Sequence, residues 1–131
     1  MNINMIHAAA ERLKDHARRT PLLSSPFLDD IAGRRVLIKP ESLQHTGSFK
    51  YRGGYSAVSA LSQEQRKAGV LAFSSGNHAQ GIALAAHQHG TPAVIIMPHD
   101  APGIKIQGTK ALGAEVIGYD RDQEDLSLIH I

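Results

Sequence analysis

The chain has 131 residues, 42% hydrophobic and 20% charged, with a net charge of +2, which suits one globular domain. The absence of cysteine excludes disulfides, thiolate catalysis and cysteine-based zinc sites. An aromatic content of 5% without tryptophan argues against nucleic-acid binding, and no run approaches the roughly 18 apolar residues of a membrane helix. Charge is uneven. Residues 1–67 hold eleven Lys/Arg against six Asp/Glu (+5) and residues 68–131 three against six (−3), which a solvated surface accounts for. The opening stretch lacks a secretion signal's basic start and apolar block, so cytoplasm is the expected location.

Residues 5–18 alternate alanine with charge and are expected to form a surface helix ending before Pro21. Thr20-Pro21-Leu22 reads as an extended entry, followed by a Ser/Pro-rich bend at 24–26. The apolar run Val36-Leu37-Ile38 is expected to be a strand buried on both faces. Over residues 49–61, Tyr51, Tyr55, Val58 and Leu61 recur at helical spacing, with Ser48 as N-cap. Residues 62–69 (SQEQRKAG) are polar, end in glycine and read as a boundary between subdomains.

Residues 70–73 read as a second buried strand. A helix over 77–89 follows, in which Ala79, Ile82, Ala83 and Ala86 make a small apolar face able to lie close on a sheet. Residues 93–97 form a third strand, and Asp100 is expected to cap the next helix, with Pro102 in its first turn and Gly113 past its end. Residues 115–117 begin a fourth strand. This alternation means β-α-β units and an α/β fold, an open parallel sheet with flanking helices. Ligands of such sheets bind beyond the carboxyl ends of the strands.

Two strand-to-helix turns lie on that edge. Residues 46–54 (TGSFKYRGG) place Lys50 in the opening turn of a helix. A cation there meets the positive end of the macrodipole, which favours the neutral amine by about 0.3–1 kcal/mol. Schiff-base chemistry requires a neutral amine. The competing reading is a solvated helix lysine. Residues 74–81 (SSGNHAQG) form a small-residue turn suited to an anion. Gly76 lets the backbone turn and approach a ligand, while the hydroxyls of Ser74 and Ser75 and the following N–H groups face it. Asn77 adds an amide able to donate to a phenolate or carboxylate, and His78 sits inside the same turn. The competing reading is an ordinary turn with serine caps.

Nucleotide-binding glycine motifs are absent. Of the eight histidines, His87 and His89 are two apart and do not share a helix face, so no metal site is expected. Gly53-Gly54 permits close packing or ligand approach, and Arg52 reads as solvated. A lysine beside an anion turn points to amine chemistry on a carboxylate-bearing substrate.

Together these residues resemble the pyridoxal-phosphate enzymes of the tryptophan-synthase β-like fold, fold type II, in the threonine dehydratase and serine racemase branch. The resemblance runs through residues 20–25 (TPLLSS), 38–54 (IKPESLQHTGSFKYRGG), 69–86 (GVLAFSSGNHAQGIALAA), 95–105 (IIMPHDAPGIK) and 113–121 (GAEVIGYDR). SGNHAQG differs from the SGNTG of the sulfhydrylase-like branch. The resemblance implies a three-layer α/β/α architecture and pyridoxal 5'-phosphate as cofactor, held as an imine on Lys50 with Phe49 beside it. It implies that Asn77 hydrogen-bonds the ring hydroxyl and that Ser74, Ser75, Gly76, Asn77 and His78 receive the substrate carboxylate. Lys50, displaced by the incoming amino acid, would remove the Cα proton. Loss of the β-hydroxyl would then give a 2-oxo acid and ammonia. In racemizing relatives the serine matching Ser75 handles the proton on the opposite face, so racemization stays open, as does dehydration of hydroxyaspartate. Tyr51 stands where Phe is commoner and Gly54 where Ala is commoner.

Relatives of this kind are well over twice as long. Residues 1–61 are therefore expected to begin a large cofactor domain and residues 69–125 to form an incomplete small domain. The phosphate-binding glycine loop and the partner of the pyridine nitrogen would lie further on. The chain alone is expected to bind the cofactor weakly and to be inactive, and the complete protein to be a homo-oligomer. The pattern runs to Asp125. Residues 126–131 (LSLIHI) match a translated transposon-end adapter and are expected to be non-native, the alternative being an apolar terminal strand. A non-catalytic amino-acid-binding domain is the competing function, against which the retention of both Lys50 and Asn77 argues.

Overall fold

The computed structural model describes residues 2–124. The expected non-native tail, residues 126–131, lies outside them. Helix α1 (Ile3–Leu13) is capped by Asn2, whose side chain accepts the Met5 N–H at 3.0 Å. A short α2 (Pro26–Ala32) starts on proline and stops at Gly33, which takes a φ of 63°. Two 3₁₀ turns, Glu41–Leu43 and His45–Gly47, lead into α3 (Lys50–Ser59). Then come α4 (Gln63–Ala68), β1 (Val70–Phe73), α5 (Asn77–Gln88), β2 (Ala93–Pro98), α6 (Gly103–Ala111) and β3 (Glu115–Tyr119). The strands form a parallel sheet in the order β1-β2-β3, with Val70 opposite Ala93 and Val94 opposite Glu115. This is the α/β fold that the periodicity predicts.

Small residues let α5 pack on two sides at once. Its Ala79, Ile82, Ala83 and Ala86 join Ala93, Ile95 and Met97 of β2 in one core cluster, completed by Ala101 and Ala114. Its Ala85 joins Tyr51, Tyr55 and Val58 of α3 in a second. Tyr51 is fully buried and its hydroxyl donates to Gln88 Oε1 at 2.8 Å, so burying the ring leaves no orphaned polar atom.

Several local expectations are corrected. Val36-Leu37-Ile38 is not a strand. Ile38 makes only an isolated antiparallel bridge to Leu23, because the Val36 N–H is already taken by Asp29 Oδ1 at 2.7 Å. Leu37 and Ile38 are about half exposed rather than buried. Residues 62–69, given no element in the sequence reading, hold α4, started by a capping box between Ser62 and Gln65. β1 is covered on one face only, leaving Leu71 half exposed. Asp100 caps nothing. Its carboxylate pairs with Arg121 at 2.8 Å, and α6 starts after Pro102.

Candidate active site

The start of α3 is held by a polar network that fixes where Lys50 emerges. Buried Gln44 exchanges two bonds with the Arg18 backbone, accepting from its N–H at 3.0 Å and donating to its carbonyl at 2.8 Å. Arg52, expected to be solvated, instead grips Glu41 bidentately at 2.7 and 2.8 Å. Thr20 Oγ1 donates to the same carboxylate at 2.6 Å. The Arg52 hydrogen bonds hold the Glu41 carboxyl down at about pKa 2 despite partial burial. The intervening turn passes through Thr46 at φ 59°, a left-handed conformation costly for a β-branched residue. Ser48 Oγ then accepts from the Lys50 N–H at a long 3.4 Å, and Phe49 rather than the expected Ser48 occupies the N-cap of α3.

Lys50 opens onto a cleft of about 350 Å³ lined also by Phe73, Ser74, Ser75, His78, Pro98, Tyr119 and Arg121. Phe73, Pro98 and Tyr119 are the last residues of β1, β2 and β3, so the cleft lies at the carboxyl edge of the parallel sheet. Burial pushes the His78 imidazole below its usual pKa, and the Lys50 charge pushes it further down. His78 is therefore neutral at pH 7, a hydrogen-bonding group rather than a cation.

Of the residues singled out in sequence, the structure gathers Lys50, Ser74, Ser75 and His78 around one space. Phe49 does not line it, but its ring centroid lies 5.0 Å from Lys50 Nζ. Gly76 and Asn77 stand beside the cleft, at the start of α5. Gly76 takes φ −165° and ψ −122° at the N-cap of α5. A Cβ on it would project into open space. Asn77 Oδ1 accepts from Lys105 Nζ at 2.6 Å, which leaves the amide nitrogen as its free end.

The description "Pyridoxal-phosphate dependent enzyme" matches residues 13–129. The chain belongs to the pyridoxal-phosphate-dependent enzyme family. It is 57% identical over 117 residues to an L-threo-3-hydroxyaspartate ammonia-lyase of Pseudomonas, covering 89% of this chain and 37% of the relative. It is 51% identical over 112 residues to an L-threonine ammonia-lyase of Thermotoga maritima, covering 86% of this chain and 28% of the relative. The solved structure of maize serine racemase superposes with a TM-score of 0.91 at 38% identity, covering 98% of this chain and 39% of that one. The chain thus spans about a third of the length of the curated relatives it matches.

Family membership makes pyridoxal 5'-phosphate the cofactor, and the groups around the cleft fit it. A primary amine, two hydroxyls and a neutral imidazole line one space, and the neighbouring Asn77 amide keeps its nitrogen unbonded among the described residues. Open space over Gly76 leaves room for a ligand at the turn. Sequence reasoning missed Pro98, Tyr119 and Arg121. The rule that parallel sheets bind ligands at strand ends would have found them, had it been applied to β2 and β3 as it was to β1.

Proposed function

We propose that this chain carries the lysine and the substrate-carboxylate turn of a pyridoxal-phosphate-dependent ammonia-lyase acting on threonine or serine. One observation carries the reading: Lys50 faces the same cleft as Ser74, Ser75 and His78. Lys50 would hold the cofactor through its amine and, when that amine is free, would take the Cα proton of the substrate. Ser74, Ser75, Gly76, Asn77 and His78 would receive the substrate carboxylate, and the Asn77 amide nitrogen would donate to the cofactor's ring oxygen. Phe49 shields the Lys50 amine on one side. Bound pyridoxal phosphate supplies the electron sink that makes the Cα proton removable. We assign the division between the family's two domains to α4, between residues 61 and 69.

Two variants of this reading have support of their own. The 57% identity to a hydroxyaspartate ammonia-lyase favours a substrate with a second carboxylate, and Arg121 brings a guanidinium to the cleft. The likeness to a serine racemase favours a proton-handling role for the Ser75 hydroxyl. The test is competition. The chain is incubated with pyridoxal phosphate, reduced with borohydride and mapped by mass, with and without L-threonine, L-serine or L-threo-3-hydroxyaspartate. The substrate is the amino acid that most lowers labelling of Lys50. Equal labelling with all three and with none would overturn the amino-acid reading.

A further inference from the structure

We propose that Lys105 is a positioning residue that decides which end of the Asn77 amide faces the site. Its Nζ donates to Asn77 Oδ1 at 2.6 Å and to Gln80 Oε1 at 3.1 Å. Both acceptors lie in the first turns of α5, and Lys105 lies in the first turn of α6. An ammonium has donors only, so it holds a carboxamide by its oxygen and never by its nitrogen. Gln80 is itself fixed, because its Nε2 fills the space over Gly108 where a Cβ would stand. Neither Lys105 nor Asn77 lines the Lys50 cleft, but Asn77 lies between the lining residues Ser75 and His78 in sequence, so Lys105 acts on the site through Asn77.

The consequence is chemical selectivity. Asn77 is left with two N–H donors while its oxygen is held by Lys105, which suits an oxyanion such as a ring phenolate better than a hydroxyl donor. Without the clamp the amide turns freely and must be ordered on binding, a loss of about two- to tenfold in affinity. The inference rests on the proposed reading of Asn77 as donor to the cofactor's ring oxygen.

The test compares the chain with its Lys105→Met and Lys105→Arg variants, using pyridoxal phosphate and its 3-deoxy analogue. Occupancy is read as borohydride-fixed label on the Lys50 peptide across a concentration series. The Asn77 side-chain amide resonances are followed without cofactor. The expected result is a two- to tenfold loss for Lys105→Met with pyridoxal phosphate, no loss with the deoxy analogue, retention in Lys105→Arg, and a shifted Asn77 amide pair in Lys105→Met alone. Equal losses with both probes would make Lys105 a simple attractor of phosphate and overturn the proposal. So would unchanged affinities or unchanged resonances. If Lys50 of the unsubstituted chain takes label from neither probe, the cofactor reading falls, and the amide resonances still decide the clamp.

Discussion

Gly54 of α3 and Gly81 of α5 meet back to back: a Cβ on Gly54 would stand 2.8 Å from the Gly81 carbonyl oxygen. A Cβ on Gly81 would in turn stand 3.0 Å from the Lys50 carbonyl carbon. The pair lets two helices touch through their backbones about one turn past Lys50 in α3 and one turn past Asn77 in α5. Gly81→Val forces the helices apart and should cost about 1–3 kcal/mol. A urea-unfolding midpoint equal to that of the unsubstituted chain would contradict this.

Glu41 and Arg52 are the second brace on the start of α3. The carboxylate accepts from Arg52 and Thr20 together. Glu41→Gln should therefore destabilise the chain by about 2 kcal/mol. The same bonds predict acid sensitivity. The Glu41 pKa drops from 4.5 to about 2 on folding, so its contribution is full above pH 4.5 and fades as pH falls toward 2. Denaturation midpoints of the chain and Glu41→Gln should converge over that window.

Three histidines act higher on the pH scale. Burial is the leading cause that lowers His45, His78 and His89, reinforced by Arg18, Lys50 and Arg66 respectively. Below pH 6.5 the unfolded chain takes up protons that the folded chain refuses, so stability falls as pH drops from 6.5 and is flat just above it. Histidine-to-glutamine substitution at position 78 should flatten part of that slope. A slope identical in the variant would remove His78 from the account.

Thr46 combines a left-handed backbone with a buried hydroxyl that has no hydrogen-bond partner. Thr46→Gly relieves both costs, less the chain entropy that glycine adds, and should raise stability by about 1 kcal/mol. A lower thermal midpoint in the variant would show that the hydroxyl has a role the strain is offset against.

What the sequence made legible was periodic or local. Tyr51, Tyr55 and Val58 recur at helical spacing and are buried, and the small face of α5 lies on the sheet as its alanines suggest. The capping box of α4 was also readable, since Ser62 and Gln65 are three apart, but the polar composition masked it. The bonds that hold the site together are not local. Arg52 finds Glu41 eleven residues back, and Lys105 finds Asn77 across 28. No spacing rule connects such pairs, because the packing of separate elements brings them together. Val36-Leu37-Ile38 misled for a related reason: composition shows that a run is apolar, not that Asp29 will claim its first N–H.

The central claim is that the Lys50 amine is where the cofactor attaches. Its most direct test is peptide mapping after borohydride reduction in limiting pyridoxal phosphate, on the chain and on Lys50→Ala. Label is expected on the Lys50 peptide and is lost in the variant although Lys14, Lys39, Lys67, Lys105 and Lys110 remain. Label spread evenly over those five, or undiminished in Lys50→Ala, would contradict it.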